Sequence, residues 1–592
     1  MFLKKKAIAI IVAAGLTVSV AGCSQDKEMS IMEVQSNGWI QGITTDLARY
    51  EPGTPVQFTL QADSQVDGSK LLVRYKHMNE VLKEETHELS GEELTWSWTP
   101  PKDDFRGYMV ETFIQQDGSY IDQENIAVDV SSDWGKYPRY GYLADFHEME
   151  DEERKQVIER LNRFHINGIQ FYDWQYTHHI PLKWESEGVP AQTWPDIANR
   201  PVSYETVEDY IDLAHAYNMK AMNYNLLFGA YEGAEADGVK KEWGMFKDPK
   251  AKTQDTHPLP DSWASDIYLL NPANEEWQQY LFETEKEVFE LLPFDGWHVD
   301  QLGDRGLRFD AKGKKIDLAQ SYAPFLNNAK SEIDVDYVMN AVGQYGQAFL
   351  ATQAPVKFLY TEVWGGHPQY RNLKGIIDEN LRYSKGKLGT VLAAYMNYDH
   401  ANAQGEFNTP GVLLTDAVIF AAGGSHLELG ENMLAKEYFP NKNLSIPNEL
   451  EQALVRYYDF AVAYENVLRD ELEEIELTVT SEQMEISADA EKGKVWSFAK
   501  QKDNRTMIHL INFSDAVHMT WNDAVANQSE PQLKEQVEVT VEMSEKVSQV
   551  WMATPDAYEG SAVPVEFEQE GDQVKLTLPS LKYWDMIVME TE

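Results

Sequence analysis

Cysteine is almost absent from this sequence, which limits how the chain can be stabilised. The single cysteine, Cys23, cannot form an internal disulfide, so the domains must fold without covalent cross-links. Basic residues are also scarce, because 51 lysines and arginines stand against 97 aspartates and glutamates, for a formal net charge of −46. Such a charge repels phosphate polymers, and we therefore expect no nucleic acid among the partners.

An apolar run at the N-terminus, Ala7–Val20, is too short to be a stable membrane span. Lys4–Lys6 precede it and small residues follow, which is the order typical of a signal peptide. The end of this segment, Val20-Ala21-Gly22-Cys23, is similar to a bacterial lipoprotein signal that is cleaved before the cysteine. We predict a signal peptide over residues 1–22, lipidation of Cys23, and an extracellular, cell-surface lipoprotein held at the membrane. A plain secretory signal with an incidental cysteine is the alternative.

A chain of 592 residues is too long for one ordinary core, so we expect several domains. Residues 23–37 are polar and lack periodicity, and we interpret them as a tether. Short β-like runs separated by turn residues follow, typical of an immunoglobulin-like β domain over residues 38–134. The predicted strands are Val56–Leu60, Lys70–Tyr75, Leu94–Trp98, Tyr108–Ile114 and Ile126–Val130.

From residue 135 the pattern changes to strands that alternate with amphipathic stretches such as Glu152–Phe164, Tyr204–Tyr217 and Glu275–Leu292. Eight such strands predict a (β/α)8 TIM barrel over residues 135–468. A doubly wound sheet is the alternative, but no Gly-rich phosphate turn follows the first strand. The predicted strands are Tyr140–Phe146, Gly168–Trp174, Lys220–Leu226, Gly296–Leu302, Tyr337–Val342, Lys357–Trp364, Thr390–Asn397 and Ala417–Gly424.

After a helical stretch at Asn448–Tyr464, β-type alternation resumes to the end of the chain. It predicts a C-terminal β-sandwich over residues 469–592. The predicted strands are Ile475–Val479, Val495–Ala499, Met507–Phe513, Val550–Met552, Val574–Leu578 and Trp584–Met589. The expected fold class is thus a multidomain α/β protein, with a central TIM barrel between two β domains.

Polar and aromatic residues collect where the barrel strands are predicted to end. In such barrels the carboxyl ends of the strands carry the active site. Two buried runs end in carboxylates, at Asp300 and Glu362, and a facing pair of carboxylates is what glycoside hydrolysis requires. A salt-bridged aspartate, paired with Arg305, is the alternative for Asp300, and an ion pair is the alternative for Glu362. The other residues at these ends include Asp145, Tyr172, Asp173, Trp174, Asn223, Asn225, Asp304, Trp364, Asn397, Tyr398, Asp399, His426 and Glu428.

Flat aromatic rings suit the apolar faces of sugars, and Trp174, Tyr176, Trp364 and Tyr398 lie where a glucan could run. The adjacent pair His178-His179 raises the question of a metal. Neighbouring residues of an extended chain point in opposite directions, and no ligand spacing of the usual kind accompanies them. We therefore expect no metal and no cofactor.

Five motifs, taken in order, resemble glycoside hydrolase family 66, which contains endo-dextranases and cycloisomaltooligosaccharide glucanotransferases. The resemblance extends from about residue 38 to the C-terminus, and no single motif would be specific. The motifs are Tyr137–Tyr142, Gly168–Tyr176 with His178-His179, Phe294–Trp297 leading to Asp300, Tyr360–Glu362, and Gly423–Gly430.

The resemblance implies a retaining endo-dextranase that hydrolyses internal α-1,6-glucosidic bonds of dextran to isomaltooligosaccharides. Asp300 is then the nucleophile and Glu362 the general acid/base. The family's glucanotransferases carry a β-rich insert in the barrel region, and none is seen between Glu362 and Glu428, which favours hydrolysis over cyclisation. The substrate-binding residues that the resemblance implies are Tyr172, Asp173, Asn397, Asp399, His426 and Glu428. From their places at the predicted strand ends, we also expect substrate contacts from Asp145, Trp174, Asn225 and Trp364.

Two alternatives stay open: a cyclising glucanotransferase acting on the same bond, and a non-catalytic, lipid-anchored glucan-binding protein. The second would not need both Asp300 and Glu362. We expect a monomer whose partners are dextran, isomaltooligosaccharides and, through the lipid anchor, the membrane.

Overall fold

The computed structural model of the protein describes residue 34 and residues 37–592. The predicted signal peptide, Cys23 and most of the predicted tether lie outside these residues. Among the helices of the described part, none is long and apolar enough to cross a membrane. The described chain has a mixed α/β fold.

Seven antiparallel strands form the N-terminal region in two sheets. The first, second and fifth strands make one sheet, and the fourth, third, sixth and seventh, in that order, make the other. Their side chains share one core, in which Phe58 of one strand stacks on Trp96 of another with ring centroids 5.0 Å apart. The strands are Ile40–Thr45, Val56–Ala62, Lys70–His77, Glu80–Glu88, Glu93–Trp98, Arg106–Gln116 and Ser119–Val130.

All five strands predicted in this region are confirmed, and two were missed. Glu80–Glu88 is an edge strand with no buried residue, so its sequence shows no apolar alternation. Ile40–Thr45 carries only three buried side chains. Strands without a clear apolar face give little signal in a sequence.

Eight parallel strands, here called the first to eighth central strands, follow in the middle of the chain. The first five pair in sequence order in one sheet, and the last three pair in another. A bridge between Asn340 and Tyr360 connects the fifth and sixth strands, and the Tyr142 amide donates to the Leu429 carbonyl at 3.1 Å. The central strands are Tyr140–Leu143, Gly168–Phe171, Lys220–Leu226, Gly296–Asp300, Asp336–Met339, Leu359–Glu362, Thr390–Ala393 and Ser425–His426.

The prediction of the eighth central strand was wrong. Residues 417–424 were assigned to a strand, but residues 417–422 lie in the helix Thr409–Ala422, and the strand is Ser425–His426. Every residue of this helix from Gly411 to Ala422 is buried, so it has no polar face. A helix that is apolar all round lacks the 3.6-residue period, and its sequence cannot be told from that of a buried strand.

Helices separate the central strands, and their ends follow ordinary capping chemistry. The Ser203 hydroxyl accepts a hydrogen bond from the Thr206 amide, and the Asn274 side chain accepts from the Glu276 and Trp277 amides. The helices are Asp151–Arg163, Tyr204–Ala216, Glu275–Leu291, Leu318–Glu332, Gln347–Gln353, Tyr370–Ser384, Thr409–Ala422, Asn448–Ala463 and Glu465–Leu468. Those predicted at Glu152, Tyr204, Glu275 and Asn448 are confirmed to within one residue at each end.

Long loops follow several central strands, the longest between Leu226 and Glu275, and carry only short strands and single turns of 3-10 helix. The short strands are Trp184–Ser186, Val189–Pro190, Thr193–Pro195, Pro201–Ser203, Gly229–Ala230, Thr256–His257, Ile267–Leu269, Arg308–Phe309, Lys315–Ile316, Gly405–Glu406 and Leu444–Ser445. These loops form the walls of the cavity described below.

The C-terminal region contains two further sheets around one apolar core. The predicted strand Ile475–Val479 is divided: Ile475 ends one strand and Val479 begins another, in different sheets. The strand Lys534–Glu542 was missed, although Val537, Val539 and Val541 alternate along it as buried residues. The strands are Glu473–Ile475, Val479–Thr480, Ile486–Ser487, Val495–Lys502, Arg505–Asn512, Lys534–Glu542, Val547–Ala553, Val563–Pro564, Glu566–Glu570, Gln573–Leu581 and Trp584–Thr591.

Buried polar contacts attach both β regions to the central part. Asp459, on the helix Asn448–Ala463, accepts from the Ala127 amide at 2.7 Å and pairs with Arg163 at 2.9 Å. On the other side, Asp523 accepts from the Asn408 side chain at 2.6 Å. The central strands are therefore held between two firmly attached β regions.

Candidate active site

The carboxyl ends of the central strands surround a cavity of about 710 Å³. Asp300, the last residue of the fourth strand, and Glu362, the last residue of the sixth, both line it. Ligand cavities of this size are typical of proteins that bind small molecules. The two carboxylates that the sequence singled out therefore face one space.

One amide connects the two carboxylates. Asn340, which follows the fifth central strand, donates from Nδ2 to Asp300 Oδ1 at 2.8 Å and to Glu362 Oε2 at 3.0 Å. Because both bonds share one nitrogen, the two oxygens lie less than about 6 Å apart, and about 5 Å apart for hydrogens at the usual amide angle. Retaining glycosidases have their two carboxyl groups about 5–5.5 Å apart, and inverting enzymes about 6.5–9.5 Å.

Glu362 is the member of the pair that holds a proton near neutral pH. Burial raises its pKa to about 7, and the negative charge of Asp300 acts in the same direction. Hydrogen bonds oppose this shift, the shortest from the Tyr395 hydroxyl to Oε1 at 2.5 Å. A carboxyl group with this pKa can serve as a general acid at neutral pH.

Asp300 is a buried carboxyl group that is surrounded by hydrogen-bond donors. Burial raises its pKa, and hydrogen bonds from the Tyr224 hydroxyl, the Gln301 amide and the Asn340 side chain oppose the rise. The Tyr224 hydroxyl donates to Oδ2 at 2.5 Å. These donors favour the ionised carboxylate, which is the form that can act as a nucleophile.

Aromatic rings form much of the remaining wall. Tyr172 stacks on Phe439 with centroids 4.2 Å apart and planes 7° apart, and Trp364 lies 5.4 Å from Tyr395. His298 also lines the cavity, and burial lowers its pKa to about 3, so its ring is neutral. Neutral rings at the wall suit an uncharged ligand with apolar faces, such as a sugar.

Asp173 is a third carboxyl group at this cavity. Burial raises its pKa to about 7, the charge of Asp196 adds to the rise, and Arg200 opposes it. In the sequence, Asp173 stands among the polar residues at the predicted ends of the barrel strands. Its carboxyl group is not among the acceptors of the Asn340 side-chain amide, which are Asp300 and Glu362.

Residues 45–588 match the model of glycosyl hydrolase family 66. The chain belongs to this family. It is 28% identical to a cycloisomaltooligosaccharide glucanotransferase of Niallia circulans, over 93% of this chain and 72% of that protein. It is 25% identical to a dextranase of Streptococcus salivarius, over 82% of this chain and 68% of that protein.

The crystal structure of a Paenibacillus sp. cycloisomaltooligosaccharide glucanotransferase, complexed with cycloisomaltoheptaose, is also similar. Its TM-score is 0.87 at 26% identity, and the match covers 93% of this chain and 99% of that chain. Membership of family 66 and the dextranase relative identify the chain as a glycoside hydrolase family enzyme.

Three of the predicted substrate-binding residues, Tyr172, Asp173 and Trp364, line the family 66 cavity. Five others are buried outside it and have no surface with which to touch a glucan, so their assignment as ligand contacts needs correction. These are Trp174, Asn225, Asn397, His426 and Glu428.

The first two of these five belong to a network behind the third strand. Trp174 donates to Asn223 at 2.9 Å, and both Asn223 and Asn225 donate to Glu285 of the helix Glu275–Leu291, at 2.7 and 2.5 Å. The Asn225 side-chain oxygen also accepts a hydrogen bond from the Leu226 backbone amide at 2.8 Å. These side chains are fully used in connecting strand and helix.

Asn397 and Asp399 contact the C-terminal region instead of the cavity. The Asn397 side chain donates to the Asp523 carbonyl at 2.8 Å, and the Asp399 amide donates to the Ala524 carbonyl at 2.9 Å. Asp145, also outside the cavity, accepts from His147 Nδ1 at 2.7 Å. The predicted role of these three residues in binding substrate is therefore not supported by their positions.

His426 and Glu428 form a buried cluster with Asp416, the one group of three among the described residues whose ligand atoms are close enough to hold a metal. His426 Nδ1 lies 2.7 Å from Asp416 Oδ1 and 3.3 Å from Glu428 Oε2. Two ligands of one tetrahedral zinc ion would be about 3.3 Å apart, whereas 2.7 Å is the length of a hydrogen bond. The contact between His426 and Asp416 thus favours a shared proton over a metal centre.

Sequence reasoning missed Asn340, Tyr224 and Tyr395, which contact the two carboxylates directly. A signal was present for Asn340 and for Tyr224. Asn340 directly follows the fifth central strand, Asp336–Met339, and no polar residue was considered there. Tyr224 stands between Asn223 and Asn225, and alternation along a strand means that the tyrosine faces inward if the asparagines face outward.

Proposed function

We propose that this chain is a retaining endo-dextranase, which hydrolyses internal α-1,6-glucosidic bonds of dextran to isomaltooligosaccharides. The observation that carries the proposal is the spacing of the two carboxylates, which one amide limits to less than about 6 Å. The family match and the dextranase relative give the substrate class.

In the proposed mechanism, Asp300 is the nucleophile and Glu362 the general acid and base. Glu362 gives its proton to the departing glycosidic oxygen while Asp300 attacks the anomeric carbon and forms a glycosyl ester. Glu362, now ionised, then takes a proton from water. The oxygen of that water bonds to the anomeric carbon, and the ester bond breaks with its electrons returning to Asp300.

The finer fold assignment belongs to this proposal. We interpret the eight central strands as a closed (β/α)8 TIM barrel, supported by the bridge at Asn340 and the Tyr142–Leu429 hydrogen bond. The flanking regions are then an immunoglobulin-like domain at 38–134 and a β-sandwich at 469–592, around a barrel at 135–468. The sheets of each region pair among their own strands, which supports these boundaries.

Tyr172, Asp173 and Trp364 are the proposed substrate contacts. The rings offer apolar faces, and the Asp173 carboxyl offers hydrogen bonds to sugar hydroxyls. Export, cleavage after residue 22, lipidation of Cys23 and attachment to the outer face of the membrane also remain proposals, as does a monomeric state.

Cyclisation by intramolecular transfer is the second candidate, favoured by the 0.87 TM-score to a glucanotransferase. Two observations support hydrolysis instead. Between Glu362 and Glu428 the chain has two helices and only short strands, with no inserted β domain in this fully described stretch. The alignment with the Niallia circulans relative extends over 708 residues, more than the 592 of this chain, so that protein contains residues that this chain lacks.

The test is digestion of dextran, with starch and cellulose as controls. We expect new reducing ends, linear isomaltooligosaccharides of mixed length, and first-formed products that keep the α configuration by proton NMR. Mainly cyclic products would establish the transferase, and inverted products would refute the assigned mechanism. Binding of dextran without any new reducing ends would establish the non-catalytic alternative.

A further inference from the structure

Asn340 donates hydrogen bonds to both carboxylates, and membership of the family does not by itself assign it a role. We propose that Asn340 is a positioning residue, which holds Asp300 and Glu362 at the distance of direct attack and, being uncharged, lets Glu362 keep its proton. This inference rests on the function proposed above.

The backbone of Asn340 is fixed between the two catalytic strands. Its amide donates to the Val299 carbonyl at 3.0 Å, next to Asp300, and its carbonyl accepts from the Gln301 side chain at 3.1 Å. The following amide, of Ala341, donates to the Tyr360 carbonyl at 3.1 Å. The side chain therefore leaves the backbone midway between the two carboxylates and has little freedom to move.

The amide can face the carboxylates in only one orientation. Its NH2 group has two hydrogens and can serve two acceptors, whereas its oxygen would be repelled by the ionised Asp300. No lysine, arginine or histidine within residues 37–592 forms an ion pair with Asp300 or Glu362. Asn340 is thus a neutral donor at a place where a cation would favour ionisation of both acids and remove the catalytic proton.

The same contact serves both steps of the reaction. In the resting enzyme it stabilises the ionised Asp300. Once Asp300 has become an ester it carries no charge, and Glu362 is the anion of the pair. The second hydrogen of Asn340 then stabilises Glu362 in the state in which it must accept a proton from water.

The test compares pH profiles of kcat/KM on dextran for the wild type, Asn340→Leu and Asn340→Asp. Loss of the donors raises the pKa of both carboxyl groups, so in Asn340→Leu the acid and alkaline limbs should both move upward, by on the order of one pH unit. Asn340→Asp keeps the shape but adds a negative charge, and its alkaline limb should move further. A residue that only fills space would instead make Asn340→Asp the milder change.

Asn380→Leu is the matched control. Asn380 is also buried, its side chain donates only to the Thr361 hydroxyl at 3.3 Å, and it does not line the cavity. Asn380→Leu should lower thermal stability and leave the acid and alkaline limbs of the kcat/KM profile at their wild-type pH. Equal loss of kcat/KM at every pH in all three variants would overturn the inference.

A carbon-13 titration of the Glu362 carboxyl group, identified by its disappearance in Glu362→Gln, separates the two proposals. It needs no activity and applies to a variant that folds but does not turn over. An upward shift in both Asn340 variants supports the positioning role, even if the wild type fails to cleave dextran and the proposed function falls. An unchanged titration in an enzyme that does cleave dextran refutes the positioning role alone.

Discussion

Replacement of Glu362 by glutamine tests the acid/base role with little change in shape. The glutamine carbonyl can accept from Asn340 in place of Oε2, and the Tyr395 hydroxyl can accept from the glutamine NH2 group in place of Oε1. The amide cannot give or take the catalytic proton. General acid catalysis typically contributes about 10²- to 10⁴-fold, or about 2.7–5.4 kcal/mol at 1.36 kcal/mol per decade. We expect the upper part of this range on dextran, because the departing sugar alkoxide is a poor leaving group and the 9% exposure of Glu362 keeps water from substituting as the acid.

The assay uses two substrates and an added nucleophile. On an isomaltosyl substrate with a 4-nitrophenyl leaving group, formation of the glycosyl ester needs no proton, so Glu362→Gln should retain most of the rate of the first step. The ester should then persist, because no base activates water. Azide, which needs no base, should restore turnover and yield a glycosyl azide of the α configuration.

Glu124→Gln is the matched control, since burial also raises the pKa of Glu124 to about 7, but this residue lies in the N-terminal region and does not line the cavity. It should leave both activities unchanged. The acid/base role of Glu362 would be refuted by equal losses on the two substrates, or by an azide product of inverted configuration.

Three further outcomes follow from the contacts of buried and cavity residues. Trp364→Ala should raise KM for dextran about tenfold, for about 1.4 kcal/mol of lost ring contact, whereas Trp174→Phe should lower stability and leave KM unchanged in the same assay. Burial holds the pKa of Glu428 at about 8, above its ordinary 4.5, so between these values the folded protein keeps a proton that the unfolded chain has released. The free energy of unfolding should therefore fall by about 1.4 kcal/mol per pH unit from this group, and calorimetry from pH 5 to 8 should show that Glu428→Gln removes this part of the slope. Asp523→Ala should cost on the order of 3 kcal/mol in thermal unfolding, since Asp523 accepts side-chain and backbone bonds from Asn408 and its own loop, with kcat on short substrates retained.

That Asp300 and Glu362 face one cavity could be predicted from the sequence because each carboxylate directly ends a buried apolar strand. Asp300 follows Gly296–Val299, and Glu362 follows Leu359–Thr361, so position along the strand was enough to assign the rim. Direction across the strand was not available. In the third strand, Asn225 was predicted to face the cavity, but Tyr224 does so. Alternation shows that neighbouring residues point to opposite faces of a strand, but it does not show which face lines the cavity.

The errors at the eighth strand have a different origin. With the strand placed at 417–424, His426 would have followed it in a loop at the rim. The true strand includes His426, and the preceding helix packs its Asp416 against that histidine. Tertiary packing thus decides whether such polar residues face the cavity or the helix layer, and no local pattern records it.

The outward-facing polar residues determine where the inward-facing tyrosines point. Behind the third strand, Asn223 and Asn225 are tied to one carboxyl group of the neighbouring helix, and Tyr224 between them reaches Asp300. Behind the seventh strand, the His426 ring lies 2.8 Å from the Ala394 carbonyl. Tyr395, which follows Ala394 in the chain, donates a hydrogen bond to Glu362.

In both places a buried network fixes the backbone on one side, and a tyrosine hydroxyl on the other side contacts one of the two carboxylates proposed to be catalytic. The polar residues that line no part of the cavity are therefore part of its geometry. Since each tyrosine is only 2.5 Å from its carboxylate, a shift of the strand by a few tenths of an ångström would lengthen the hydrogen bond that tunes the acid. This coupling explains why so many buried polar side chains surround the ends of these strands, although only two carboxylates are proposed to take part in the reaction.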